Sequence, residues 1–147
     1  MTIDKQASGE RGARIEFRLE PGSGVPTYLQ LVHQVEHALR LGYLEVGDQL
    51  PKVKEVVAGL AINPNTVLKA YRDLENKGLA VGRPGQGTFV AGTLGGMQPV
   101  EHVALRADLV SWMQEATDAG LDLDGIVALF TSVHREFGGS RAGASAG

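Results

Sequence analysis

Apolar positions recur at helical spacing along most of this chain. Between Pro26 and Gly42, the residues Tyr28, Leu31, Val32, Val35 and Leu39 form one stripe, the signature of a helix with a single buried face. Ahead of it, Ile15, Phe17 and Leu19 alternate with Glu16 and Arg18, the period of a half-buried strand. Pro21-Gly22-Ser23-Gly24 separates the two as a turn. The stretch from Glu45 to Pro51 reads as a tight connection. Val53, Val56, Val57 and Leu60 then face inward from a second, short helix, and Gly59 to Ala61 leaves room only for a turn.

Residues 61–79, AINPNTVLKAYRDLENKGL, organise the chain. Asn63 is placed to cap a helix, because its side-chain oxygen can accept from an orphan backbone N–H in the first turn. Pro64 follows at the first helical position, where a missing N–H costs nothing. Val67, Tyr71 and Leu74 fall at i, i+4 and i+7 and share a buried face. Asn65, Thr66, Lys69 and Arg72 fall on other faces and stay available. Lys77-Gly78 ends the helix, with a cation near the negative end of its dipole and glycine just beyond. A short polar helix set behind another short helix is how a helix-turn-helix protein enters the major groove.

Leu79-Ala80-Val81 and Thr88-Phe89-Val90 read as two strands around the turn Arg83-Pro84-Gly85-Gln86-Gly87. A hairpin directly after a helix-turn-helix is a wing. Glycines at its tip let the backbone approach a phosphate closely, and Arg83 adds charge. Beyond a linker at residues 92–99, two more helices are expected within residues 100–137. The first carries Leu105, Leu109, Trp112 or Met113, and Ala116. The second, capped by Asp122 or Asp124, carries Ile126, Leu129, Phe130, Val133 and Phe137. Two helices alone cannot bury both stripes, and the simplest cover is a second copy of the chain. The expected fold is mainly α with a small β component. It places a disordered arm at residues 1–13, a winged helix-turn-helix domain at 14–91, a two-helix dimerisation tail after the linker, and a disordered end at 138–147.

Composition narrows the function. The chain has 147 residues and no cysteine, which excludes disulfides and thiol catalysis and fits a cytoplasmic protein. No apolar run approaches the ~20 residues of a membrane-spanning helix, and the first residues show no apolar signal core. The formal net charge is −3, unlike a non-specific nucleic-acid coat. Between Pro26 and Ala91 there are seven Lys/Arg and six Asp/Glu, so this span carries +1 and the remainder −4.

PTYLQLVHQVEHAL from Pro26, Gly42, GDQLP at Gly47 to Pro51, NPNTVLKAYRDLENKGL from Asn63 and RPGQGTFV at Arg83 to Val90 occur in a telling order. Together these pieces resemble the GntR family of bacterial transcription regulators, over Val25 to Val90. The leading IEFRLEPGSGVPTY, the NPNTV start and the short two-helix tail look like its YtrA-like subfamily. The resemblance implies a winged helix-turn-helix that binds an operator as a dimer. It implies a dimerisation tail where relatives carry a large effector-binding or aminotransferase-like domain. Lys54 stands where the family commonly has arginine, Asn63-Pro64 where many relatives have Ser/Thr-Arg, and Leu68 at a frequently basic position. Lysine keeps the charge but loses the bidentate fork. What matches is Lys54, Asn65, Thr66, Gly85 and Gly87.

The candidate base readers are Asn65 and Thr66, with Lys69 one turn on. Asparagine can bond adenine bidentately, and threonine offers a hydroxyl and a methyl to thymine. Asn63 joins them at the helix start. The competing reading is that these residues only cap the helix and face solvent. Lys52, Lys54 and Arg72 are candidate phosphate contacts, and Arg83 and Gln86, with Gly85 and Gly87, would set the wing on the backbone or in the minor groove. Here the alternatives are a solvated face and an ordinary hairpin. His33 and His37 share a helix face but supply too few ligands for zinc, so no metal and no cofactor is expected. Tyr71, Trp112, Phe130 and Phe137 read as core or dimer contacts.

The function expected is therefore a dimeric, sequence-specific regulator of transcription, a repressor acting on a pseudo-palindromic, double-stranded operator. The alternative is a winged-helix protein-interaction module that does not read DNA. An enzyme is not expected, because no nucleophile–base pair, metal set or phosphate loop is present and Gly85 and Gly87 lie in a hairpin. A small-molecule effector is left open, since anything that changes the spacing of two recognition helices could switch a dimer.

Overall fold

The computed structural model describes the backbone of residues 2–3, 15–95 and 102–145, and the side chains of 15–95 and 102–141. These fall in two units, residues 1–102 and 103–147. The first contains β1 (Thr2–Ile3), β2 (Ile15–Glu16), α1 (Thr27–Arg40), α2 (Val53–Leu60), α3 (Pro64–Asn76), β3 (Ala80–Arg83) and β4 (Gly87–Val90). The second contains α4 (Val103–Asp118) and α5 (Leu123–Ser145).

The stripe read on α1 is the centre of the first unit. Leu31, Val32, Val35, Ala38 and Leu39 are buried, and they meet Val67, Ala70, Tyr71 and Leu74 of α3 and Val56 of α2 in one core. Leu44 and Leu50 from the connection complete it. α1 ends at Arg40 and is capped by Leu41, followed by Gly42 at φ 75°, and the N–H of Tyr43 donates to the carbonyl of Ala38 at 2.9 Å. That left-handed glycine closure satisfies carbonyls the helix leaves open. α2 ends at Leu60, the last inward residue expected of it, so Gly59 and Leu60 are helical and the turn is left to Ala61, which sits at φ 53°, ψ 47°.

The half-buried segment near Ile15 departs from the expected strand. Ile15 and Phe17 are buried and Glu16 and Arg18 exposed, so the alternation is present. Yet only Ile15 and Glu16 pair with another strand, in register Thr2↔Glu16 and Ile3↔Ile15. From Arg18 on, glutamines of α1 take over. The Arg18 N–H donates to Gln34 Oε1 at 3.0 Å, and Gln34 Nε2 donates back to the Arg18 carbonyl at 2.6 Å. Gln30 Oε1 accepts from the Glu20 N–H at 2.8 Å. A primary amide offers the same donor–acceptor pair as a peptide group, so it can stand in for a strand. Thr2–Ile3 falls within the arm expected to be disordered and is instead a strand; residues 1 and 4–13 of that arm lie outside the described residues.

The wing pairs Ala80↔Val90, Val81↔Phe89, Gly82↔Thr88 and Arg83↔Gly87. It has a third member. The Gly47 N–H donates to the Val90 carbonyl at 2.9 Å, the Val90 N–H to the Asp48 carbonyl at 2.8 Å, and the Leu50 N–H to the Thr88 carbonyl at 2.8 Å. The connection after α1 is thus laid along β4, with Gln49 opposite Phe89. After β4 the chain stays attached, since Leu94 packs against the core. The rest of the linker, 96–99, lies outside the described residues.

In the second unit, Asp122 is the cap, its Oδ1 accepting from the Gly125 N–H at 2.8 Å. Ala116 and Ile126 are buried within the unit, so Ile126 is not available to a second chain as expected. Leu105, Leu109, Leu129, Phe130, Val133 and Phe137 are exposed, and Trp112 and Met113 are half-buried. α5 does not stop at Phe137 but continues to Ser145, overturning the disordered end for residues 138–145. No proline interrupts it, and Arg141 stacks back over Phe137, one turn earlier, at 5.7 Å from the ring centre.

Candidate nucleic-acid interface

The helix that presents the candidate readers is held at both ends. At its start, Asn63 Oδ1 accepts from the Asn65 N–H at 2.8 Å, and Pro64 occupies the first turn. At its finish, the Lys77 ammonium lies 3.1 Å from Asp73 and 3.7 Å from Glu36 of α1. The hydrogen bond to Asp73 first, then the charge of Glu36, holds that ammonium above its ordinary pKa. In the middle, the buried Tyr71 phenol donates to the carbonyl of Pro51, at the entry to α2. Burial, with the nearby Glu55 carboxylate adding to it, raises the phenol above its usual range, so it stays protonated.

With Val67, Ala70, Tyr71 and Leu74 turned inward, Asn65, Lys69 and Arg72 are exposed on the opposite side and Thr66 is half-buried beside them. Lys69 is drawn to one flank, its ammonium 4.1 Å from the centre of the Tyr28 ring on α1. Lys52, the residue capping α2, and Lys54 in its first turn are both exposed. Between α2 and the wing lies an open groove of about 590 Å³, lined by Pro51, Lys52, Val53, Tyr71 and residues 82–88. The structure therefore brings Lys52, Arg83, Gly85, Gln86 and Gly87 around one groove, with Tyr71 at its base.

The wing residues have duties that spacing alone does not reveal. The Arg83 guanidinium stacks 4.6 Å from the centre of the Phe89 ring, which restrains it on the stem of the hairpin. Gln49 Nε2 donates to the Gln86 carbonyl at 3.0 Å, so the connection after α1 props the wing tip. Gly87 adopts φ 128°, and a Cβ there would stand 2.7 Å from Gln49 Nε2. The positive φ is what favours glycine here, since the Gln49 amide is the end of a flexible side chain and could shift. Gly85, at φ 75°, has open space around it. Neither Gln49 nor Tyr28 is a site candidate by sequence: Gln49 counts only as part of the GDQLP stretch, and Tyr28 only as part of the opening PTYLQLVHQVEHAL stretch and the α1 stripe. Leu68 stands out in the sequence only as a departure from the family pattern, yet it is exposed on α3 between the candidate readers.

His33 and His37 are both exposed on α1. Among the described residues no group of three or more His, Asp or Glu could hold a metal ion, and no helix is long and apolar enough to cross a membrane.

Known proteins resemble this chain in sequence and fold. The pattern of the bacterial regulatory proteins, gntR family, matches residues 27–90, which run from the start of α1 to the end of the wing. YhcF of Bacillus subtilis (strain 168), an uncharacterized HTH-type transcriptional regulator, is 32% identical over 99 residues, covering 67% of this chain and 82% of that protein. The chain belongs to the gntR family. The HTH-type transcriptional repressor YtrA of the same organism is 36% identical to this gntR member over 75 residues, covering 51% of the chain and 58% of YtrA. The chain thus spans little more than half the length of that relative. Among solved structures, a transcriptional antiterminator from Listeria monocytogenes EGD-e is similar at a TM-score of 0.52 and 26% identity, covering 82% of this chain and 90% of that one. The shared fold is that of a gntR winged helix-turn-helix.

Proposed function

We propose that this gntR protein is a sequence-specific regulator of transcription that binds a double-stranded operator as a homodimer and represses. The observation that carries the reading is the division of α3. Its apolar side is buried in the core, while Asn65, Lys69 and Arg72 stand exposed on the other. A helix divided in this way has its polar surface free for a groove, and the wing beside it supplies Arg83 and Gln86 for the flanking backbone. Membership of a family of bacterial regulatory proteins supports the same reading. The relative named a repressor supports the sign of the effect. Repression needs only that bound protein exclude polymerase. The exposed Leu105, Leu109, Phe130, Val133 and Phe137 support the homodimer, since a second copy would cover surface that water otherwise meets.

The test is selection of random-sequence duplexes by the purified chain near physiological salt, with sequencing of the bound pool. An enriched inverted repeat is the expected result and gives the half-site spacing. Enrichment of no sequence would overturn the reading and leave a winged-helix interaction module.

A further inference from the structure

We propose that Leu68 reads base sequence directly, through an apolar contact with the C5 methyl of a thymine in the major groove. The inference rests on the DNA reading above and deepens it. Apart from its buried face, α3 is polar with one exception among its large side chains. Leu68 is 42% exposed and is neither in the core nor among the described residues packed against it. The exposed part of that apolar surface gains only when something displaces the water on it.

The position of Leu68 decides what that could be. It lies three residues after Asn65 and four before Arg72, so at about 100° per residue it borders both on the outward surface. Lys69, the next residue, turns to the α1 flank over Tyr28. Leu68 occupies the other flank with Glu75, whose carboxylate reaches 3.4 Å from where a Cβ on Gly82 of β3 would stand. Leu68 therefore borders the wing side of the candidate recognition surface, at the level of the readers.

The chemistry then selects one base. Among major-groove edges, guanine offers acceptors, cytosine a donor and adenine both, whereas thymine alone adds a methyl group. A cation or amide at this position would seek the polar edges. Leucine has no donor or acceptor, so it rewards the methyl and leaves a polar edge without a partner. With Asn65 suited to adenine one turn earlier, the pair favours an A·T-containing half-site.

The experiment uses the full chain and the sequence recovered by selection. Each thymine is replaced singly by uracil, which removes only the methyl. In one position of each half-site, the replacement is expected to weaken wild-type binding about fourfold, the worth of one buried methyl. Leu68→Ala is expected to keep its helix content and to bind the thymine and uracil duplexes equally. If no replacement weakens the wild type, or if Leu68→Ala retains the same methyl dependence, the proposal is overturned. If no sequence is enriched at all, the DNA reading falls first and this inference with it.

Discussion

The phenol of Tyr71 donates to the backbone carbonyl of Pro51, and this one bond joins the middle of α3 to the entrance of α2. The two residues are far apart in sequence but meet at the base of the groove beside the wing. The bond adds to the core that α2 and α3 share in setting where the exposed surface of α3 stands beside Lys52.

Removing it gives a stability prediction with a pH signature. Tyr71→Phe is expected to cost about 1–2 kcal/mol, because the buried Pro51 carbonyl loses its donor. Burial raises the phenol above its ordinary 10.0, so the folded chain holds a proton that the unfolded chain releases. That stabilisation is complete below about pH 10 and is lost as pH rises beyond it. Urea unfolding of both proteins across that range should show a steeper alkaline loss for the wild type. Parallel pH profiles would contradict the assignment.

Ala61 ends α2 in the left-handed region at φ 53°. A Cβ is strained there by about 1–2 kcal/mol, part of which glycine gives back as chain entropy. Ala61→Gly should therefore raise the unfolding free energy by about 0.5–1 kcal/mol. A lower urea midpoint would show that the turn relaxes in another way.

Asn63 separates capping from recognition. Asn63→Ala should cost about 1 kcal/mol as the Asn65 N–H loses its acceptor. Asn63→Asp keeps the acceptor and adds a negative charge at the helix start. Its stability should hold while DNA affinity falls, read by thermal melts and binding titrations on the same protein. Unimpaired binding by Asn63→Asp would place this end of α3 away from the phosphates.

Lys54 and Asn65 should fail in different ways. Lys54→Ala is expected to weaken operator and random DNA alike and to lower the salt slope by about 1. Asn65→Ala and Thr66→Ala should instead narrow the gap between operator and random DNA by about 1–3 kcal/mol. Equal losses on both kinds of DNA for the Asn65 and Thr66 changes would remove them from the base-reading set.

The exposed face of the second unit makes a prediction about assembly. Phe130 and Val133 are 57% and 51% exposed on α5. Phe130→Glu with Val133→Glu should convert a dimer to a monomer in sedimentation equilibrium and lower operator affinity, while the first unit melts as before. A mass unchanged from the wild type would move the dimer contact elsewhere.

The chain by itself determined the elements whose causes are local. The stripe from Leu31 to Leu39, the cap of Asn63 on Asn65, the glycine beyond Lys77 and the hairpin around Gly85 each follow from residues within a turn or two of one another. Helical periodicity, capping and turn chemistry act over that range, so α1, α3, the wing and the polar face of α3 are legible in the amino-acid sequence. Tertiary structure decided whatever depends on which surfaces meet. The segment from Gly47 to Leu50 lies along β4 although it has no strand pattern, because its peptide groups face a partner distant in sequence. Gln30 and Gln34 replace a strand beside Arg18, and Gln49 props Gln86, because side-chain amides find peptide groups only after the helices have packed. The same packing swings Lys69 over Tyr28, stacks Arg83 on Phe89 and leaves Leu68 partly exposed. Residue type set what each of these side chains can bind, and the fold set which of them remain free to do so.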